Sequence, residues 1–228
     1  MKYITGCLLF FLSNYALADN QACNQFFYKL KKPIYIENTQ TENLCNSQFF
    51  TLYSNISKTP LYSAEFLTKD KILSAKNFVR LNKFHTDNRI NSKYQAKLKD
   101  YQNSGFDRGH LVPNSDMPNK KSQYESFSLS NIAPQNPNLN RIVWKNLEES
   151  IRSKIVKTNN NAYIITGVIF QNKTILKLNN SILVPDYFYK IVTYENGNQE
   201  IYIAKNDINA EIQNTTIENI QKLTKIKF

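Results

Sequence analysis

One stretch of helical periodicity constrains this chain more than any other feature. From Leu139 to Val156 the apolar residues Val143, Trp144, Leu147, Ile151 and Ile155 recur at helical spacing, and Asn136-Pro137 just before them supplies a cap and a first-turn proline. Around it lie short runs of β character. Phe49 to Tyr53 and Leu61 to Leu67 predict two strands about the turn signal Ser57-Lys58-Thr59-Pro60, a hairpin on one edge of a sheet. After the loop Thr158 to Asn161, further strands are expected over Ala162 to Ile165, Ser181 to Val184, Phe188 to Thr193 and Glu200 to Ala204. The last two are joined at Asn196-Gly197, a tight-turn pair. A closing helix is expected from about Ala210 to Leu223, and residues 70–104, polar and weakly periodic, read as a long surface excursion. With no repeat and no linker dividing it, the chain reads as one α+β domain.

The N-terminus carries a different signal. Residues 1–18 hold Lys2, an apolar run around Cys7 to Leu12 and Ala16-Leu17-Ala18 before Asp19, the pattern of a cleaved secretory leader with the mature chain starting at Asp19. The apolar run is about half of the roughly 20 residues that span a bilayer, so no membrane anchor is expected. Ile4-Thr5-Gly6-Cys7 superficially resembles a lipid-attachment site, but this Cys precedes most of the apolar run. The expectation is an exported protein, periplasmic or secreted, with residues 19–47 as an N-terminal arm. Of the three Cys, Cys7 leaves with the leader, and Cys23 and Cys45 remain as a pair suited to a disulfide.

The net charge is +11. An excess of this size favours polyanionic partners: nucleic acid, acidic glycan or anionic membrane. Composition does not choose among them, and the competing reading is an AT-rich genome that inflates Lys, Asn and Ile, which the abundance of Asn supports in part.

The residues that could do chemistry are few. Only two His are present, His85 and His110, and no paired Cys motif accompanies them, which argues against zinc sites built from His and Cys clusters. His110 closes Gly105-Phe106-Asp107-Arg108-Gly109-His110, where a carboxylate, a guanidinium, an imidazole and two of the chain's five Gly fall within six residues. A second group follows: Ser130-Asn131-Ile132-Ala133-Pro134-Gln135, then Asn140, Trp144 and Glu148. On an α-helix Asn140, Trp144 and Glu148 share a face. An amide oxygen and a carboxylate close together suit a hard cation that keeps most of its water, as Mg²⁺ does. The bland alternatives are a strand edge with an incidental ion pair and a capped helix with solvated polar residues.

These two segments, GFDRGHLVP at Gly105 to Pro113 and LSNIAPQNPNLNRIVWKNLEE at Leu129 to Glu149, resemble the DNA/RNA non-specific endonucleases of the Serratia nuclease and endonuclease G type. Arg80 with Phe84 and Asp87, Ile165-Thr166-Gly167, and Val184-Pro185 followed by Phe188 and Lys190 extend the likeness over roughly residues 48–228. It implies a central antiparallel sheet flanked by helices, with a ββα-metal (His-Me finger) active site that hydrolyses DNA and RNA and leaves 5′-phosphates. It further implies His110 as general base, Asn140 as the direct ligand of one hydrated Mg²⁺ (Mn²⁺ or another divalent cation substituting), and Glu148 on the ion's water shell. Asp107 would orient the site, Arg80 would neutralise the phosphate, and Arg108, Asn131 and Gln135 would position phosphate or supporting loops. His85 is given no role. A homodimer and an inhibitor protein are both compatible with this reading. The chain departs from the family pattern at Val168, where a Pro usually follows the Thr-Gly pair, and at Thr224-Lys225, where Thr-Gly is usual.

Overall fold

The computed structural model describes residues 23–36, 40–80 and 82–228. The expected leader and Asp19 lie outside the described residues. In chain order the elements are β1 (Ile34–Tyr35), β2 (Thr41–Cys45), β3 (Phe49–Ser54), β4 (Thr59–Leu67), α1 (Lys69–Ala75), β5 (Asp107–His110), α2 (Lys120–Ser126) and β6 (Ile132–Gln135). A π-helical stretch, Leu139–Trp144, then runs into α3 (Lys145–Thr158). There follow β7 (Ala162–Ile169), β8 (Lys177–Leu178), β9 (Ile182–Leu183), β10 (Tyr187–Tyr194), β11 (Gln199–Lys205), β12 (Gln213–Asn214), α4 (Ile217–Thr224) and β13 (Ile226–Lys227). Seven strands make one antiparallel sheet in the order β12-β11-β10-β7-β4-β3-β2. This is the α+β architecture expected, with helices packed on the sheet.

Alternation along the strands gives the sheet two buried faces. Leu67, Ile164, Val168, Phe188 and Val192 meet Trp144, Leu147, Ile151 and Ile155 of the helix. The odd-numbered neighbours Ile191 and Tyr189, with Phe50, Leu52, Tyr62 and Ala64, are covered by Phe26 and Phe27 of the N-terminal arm and by Ile220 and Ile226. The disulfide Cys23–Cys45, with Cα atoms 5.9 Å apart, ties that arm to β2. Replacing both Cys by Ser is expected to lower stability by about 2–4 kcal/mol in chemical denaturation, with the site on the other face of the sheet unaffected. An unchanged midpoint would show that the arm is held by packing alone.

Several expected elements need correction. The β3–β4 turn falls at Asn55 to Lys58, closed by Lys58 N–H on the Ser54 carbonyl at 2.9 Å, so Thr59 and Pro60 already belong to the strand. The hairpin is not at the edge, because β2 continues the sheet beyond β3. Residues 70–104 are not simply a surface excursion: Thr68 Oγ1 caps α1, which buries Ile72 and Ala75. Asp87, Ile90, Ala96, Asp100 and Tyr101 anchor the remainder in the interior. The strand at Ser181 to Val184 shrinks to Ile182–Leu183, paired only with β8. The closing helix starts at Ile217, because Gln213 and Asn214 pair with β11 and Thr216 Oγ1 provides the cap.

Candidate active site

β5 and β6 form a separate two-stranded antiparallel ribbon, with Asp107 opposite Gln135 and His110 opposite Ile132. Gly109 is required here: a Cβ at this position would meet Gln135 Cβ at 2.6 Å, since the Gln135 side chain lies directly against the Gly109 backbone. The ribbon feeds into the helix through Asn136, whose N–H donates to Asn206 Oδ1 at 2.7 Å. Asn206 in turn donates through Nδ2 to the Pro134 and Pro185 carbonyls. That one amide fastens the ribbon-to-helix junction to the end of the central sheet.

Ribbon and helix enclose a pocket of about 440 Å³ lined by Arg80, Asp107, Arg108, His110, Asn140 and Glu148, among others. Six of the eight residues singled out in the sequence therefore meet in one place. Asp107, Arg108 and Asn140 also line an adjoining hollow of about 280 Å³ walled by Phe84, Leu98 and Tyr101.

Asn140 Nδ2 donates to Asp107 Oδ2 at 2.8 Å, and Arg141 grips the same carboxylate through Nε and Nη2 at 2.7 and 2.6 Å. Because the NH₂ group is committed to Asp107, the amide oxygen of Asn140 is left for another ligand. Burial alone would raise the Asp107 carboxyl. The hydrogen bonds from Arg141 and Asn140, with the charges of Arg141 and Arg108, together outweigh it and hold the group below its ordinary range. Asp107 is thus an ionised organiser of Asn140.

The His110 ring packs against Phe84 and Phe127, with centroids 5.4 and 5.0 Å away. Its Nε2 is buried without a hydrogen-bond partner among the described residues. Burial, then the positive charges of Arg80 and Arg108, push its pKa down to about 3, so the ring is neutral at working pH. Arg80 lies over the Phe127 ring at 5.4 Å, with its Nε on Asn82, and Arg108 lies over Phe84 at 4.3 Å. Both guanidiniums use aromatic faces as supports and keep their charge at the pocket.

Glu148 sits at the inner end. Burial is the largest influence on it; Lys190 and Arg152 oppose that rise, Asp116 and Glu149 add to it, and its pKa is pushed up to about 7. Asn131 and Gln135 lie outside the pocket lining. Asn131 is a loop staple: Oδ1 accepts from Val112 N–H, and Nδ2 donates to the Val112 and Ser126 carbonyls. Gln135 is buried against Gly109. His85 stacks on Tyr124 at 4.1 Å, away from the pocket residues.

Among the pocket-lining residues that sequence reasoning did not single out are two arginines, Arg152 and Arg141. Arg152, paired with Asp116 at 2.9 Å, continues the four-residue series from Asn140 through Trp144 and Glu148, and that spacing could have found it. Arg141 carried no such signal, since its role depends on Asp107 being across from the helix. The helix itself differs from expectation. Its first part is π-helical, a geometry that recurs at functional sites.

Residues 29–228 match the family model of the DNA/RNA non-specific endonucleases. Bovine mitochondrial endonuclease G is 36% identical over 129 residues, 52% of this chain and 43% of that protein. The mitochondrial nuclease 1 of Schizosaccharomyces pombe is 26% identical over 197 residues, 81% of this chain and 59% of that protein. The chain therefore spans about half the length of these relatives. A chain from the crystal structure of the EndoG/EndoGI complex superposes with a TM-score of 0.74 at 25% identity, covering 85% of this chain and 88% of that one. These relatives correct the expectation of export: the bovine, fission-yeast and Saccharomyces cerevisiae proteins are all named as mitochondrial nucleases, and a periplasmic or secreted location is withdrawn. The leader-like composition of residues 1–18 misled because an apolar run with small residues after it says little about which membrane it addresses. Motif, fold and family model agree, and the chain belongs to the DNA/RNA non-specific endonuclease family.

Proposed function

We propose that this protein is a divalent-metal-dependent endonuclease that hydrolyses phosphodiester bonds of DNA and RNA with little sequence preference, leaving 5′-phosphates. The observation that carries the reading is the convergence of a neutral His110, an Asn140 with an uncommitted amide oxygen, and Glu148 in one arginine-lined pocket.

The donor set fits Mg²⁺. Among the described residues no group of three or more His, Cys, Asp or Glu gathers, and one amide oxygen with a nearby carboxylate suits an ion that retains its water. Asn140 would hold the ion through Oδ1, and Glu148 would contact its hydration shell; Mn²⁺ would fit the same oxygen donors. When bound, the ion supplies positive charge beside the phosphate and the departing 3′ oxygen.

The chain's own residues do the rest. His110, uncharged and shielded by Phe84 and Phe127, takes the proton of the attacking water. Arg80 and Arg108 offset the charge that builds on phosphorus. Contacts made to phosphate carry no base information, which accounts for low sequence preference. EndoG is inhibited in its complex with EndoGI, and we extend this to an inhibitor protein as a partner of this chain.

Incubation with supercoiled plasmid and with RNA tests the reading. Both should be degraded with Mg²⁺, both should survive with chelator, and affinity should fall by about tenfold or more between roughly 50 and 200 mM salt. Survival of both substrates in Mg²⁺ would overturn it.

A further inference from the structure

Beneath the pocket the sheet carries a buried polar island. The face turned towards α3 is largely apolar, yet Thr51, Ser63, Glu65, Thr166 and Lys190 lie within it, all buried. Strand register sets Ser63, Thr166 and Lys190 in one row across β4, β7 and β10, with Glu65 two residues further along β4. An ammonium and a carboxylate in a protein core cost a great deal unless they have partners. Their partners show what each is for.

Lys190 is 2% exposed. Its Nζ donates to Thr166 Oγ1 at 2.5 Å, lies 3.8 Å from Glu148 Oε1, and stands 5.4 Å over the Trp144 ring. Three contacts from three elements thus aim one ammonium at the inner side of Glu148. Glu65 is also 2% exposed, forms no ion pair among the described residues, and its Oε1 has no hydrogen-bond partner there. A bare carboxylate in that position would be far more costly than a neutral acid.

We propose that Lys190 is a positioning residue whose charge is directed at Glu148, favouring its ionised form and aiming it into the pocket, while Glu65 remains a neutral acid beside it. The proposal rests on the nuclease reading of the pocket, in which an ionised Glu148 contacts the hydration shell of the metal.

The charged groups around Glu148 decide the sign of the test. Lys190 on β10 and Arg152 on α3 favour its ionised form; Asp116 and Glu149 oppose it. Burial pushes the Glu65 carboxyl well above its ordinary range, Asp116 and Glu148 push the same way, and Lys190 and Lys71 do not bring it back. Removing the Lys190 charge should therefore make Glu148 harder to ionise. Neutralising Glu65 should change nothing, because it is neutral already.

The experiment compares cleavage rate against pH, at saturating Mg²⁺, for wild type, Lys190→Met, Thr166→Val and Glu65→Gln. Lys190→Met should move the acid limb to higher pH by about one unit or more, a tenfold change in the proton affinity of Glu148. Thr166→Val, a near-isosteric change that only loosens Nζ, should move it the same way by less. Glu65→Gln should leave the limb where it is. Carboxyl ¹³C NMR of Glu148 in chelator-treated protein should show the same order of midpoints without any need for activity. A protein that cleaves nothing at any pH refutes the nuclease reading; the NMR titration still judges the positioning. A Lys190→Met limb and Glu148 midpoint coincident with wild type would overturn the proposal, as would a shift on Glu65→Gln. A uniform loss of rate and stability, with limb and midpoint unmoved, would mark Lys190 as structural only.

Discussion

His110→Ala is expected to cleave supercoiled plasmid about a thousandfold more slowly than wild type while binding the same DNA within a few-fold. General-base catalysis contributes roughly 10²–10⁴ to rate, and only one imidazole lines the pocket. The phosphate contacts assigned to Arg80 and Arg108 survive the change, which is why affinity should hold. Gel-based cleavage rates and filter binding measure the two quantities, and cleavage within about tenfold of wild type would refute the assigned base. The same residue has a thermodynamic signature. Its folded pKa of about 3 lies below the ordinary 6.5, so the unfolded chain takes up a proton first as pH falls. Stability contributed by the neutral ring is complete above about pH 6.5 and is lost progressively down to about pH 3. Denaturation midpoints of His110→Ala should fall less steeply than wild type across that window.

The second large effect is expected at Asn140. Asn140→Ala removes the one direct protein ligand in the proposed metal site, and cleavage should fall by about a hundredfold or more with a raised Mg²⁺ requirement. Asp107→Ala should act through Asn140, since the carboxylate that fixes the amide and grips Arg141 is gone. Loss of such an outer partner typically costs about 10–100-fold in metal affinity or activity. Mg²⁺ titrations of rate separate the two variants: excess metal should recover much of the Asp107→Ala activity and little of the Asn140→Ala activity. Equal recovery of both would show that Asn140 is not the ligand.

The gathering of these side chains in one pocket was legible because its parts are local. Asp107, Arg108 and His110 fall within one strand, and Asn140 and Glu148 within one helical run, so short segments carry most of the geometry. What was not legible depends on register between distant strands. Lys190 drew notice as part of a motif, yet its use follows from pairing opposite Thr166 in β7. Glu65 drew no notice within the strand Leu61 to Leu67, and only the fold shows that the sheet buries both faces there. β2 was hidden in Thr-Glu-Asn-Leu-Cys, where a single buried Leu44 gives no period to read. Asp87 shows the same limit from the other side. Matched only as a family position, it accepts from Arg89, Ser128 and Ser130 and anchors a segment that its own composition described as surface. Burial enclosing it would raise its carboxyl, but the hydrogen bonds from Arg89 and Ser130 and the Arg89 charge bring the pKa down to about 2.

The π-helical stretch Leu139–Trp144 divides one helix into two parts with different tolerances. Downstream, Leu147, Ile151 and Ile155 seat α3 in the core, and volume-conserving exchanges among apolar residues should be accepted there. Upstream, the wider turn sets the rotational phase of Asn140 relative to Glu148. Deleting or inserting one residue would turn everything before it by about 100° around the axis, at 3.6 residues per turn. The carboxylate would stay seated and the amide would swing away from it. Chain length over those six residues is therefore as stringent an inheritance as the identity of Asn140 itself.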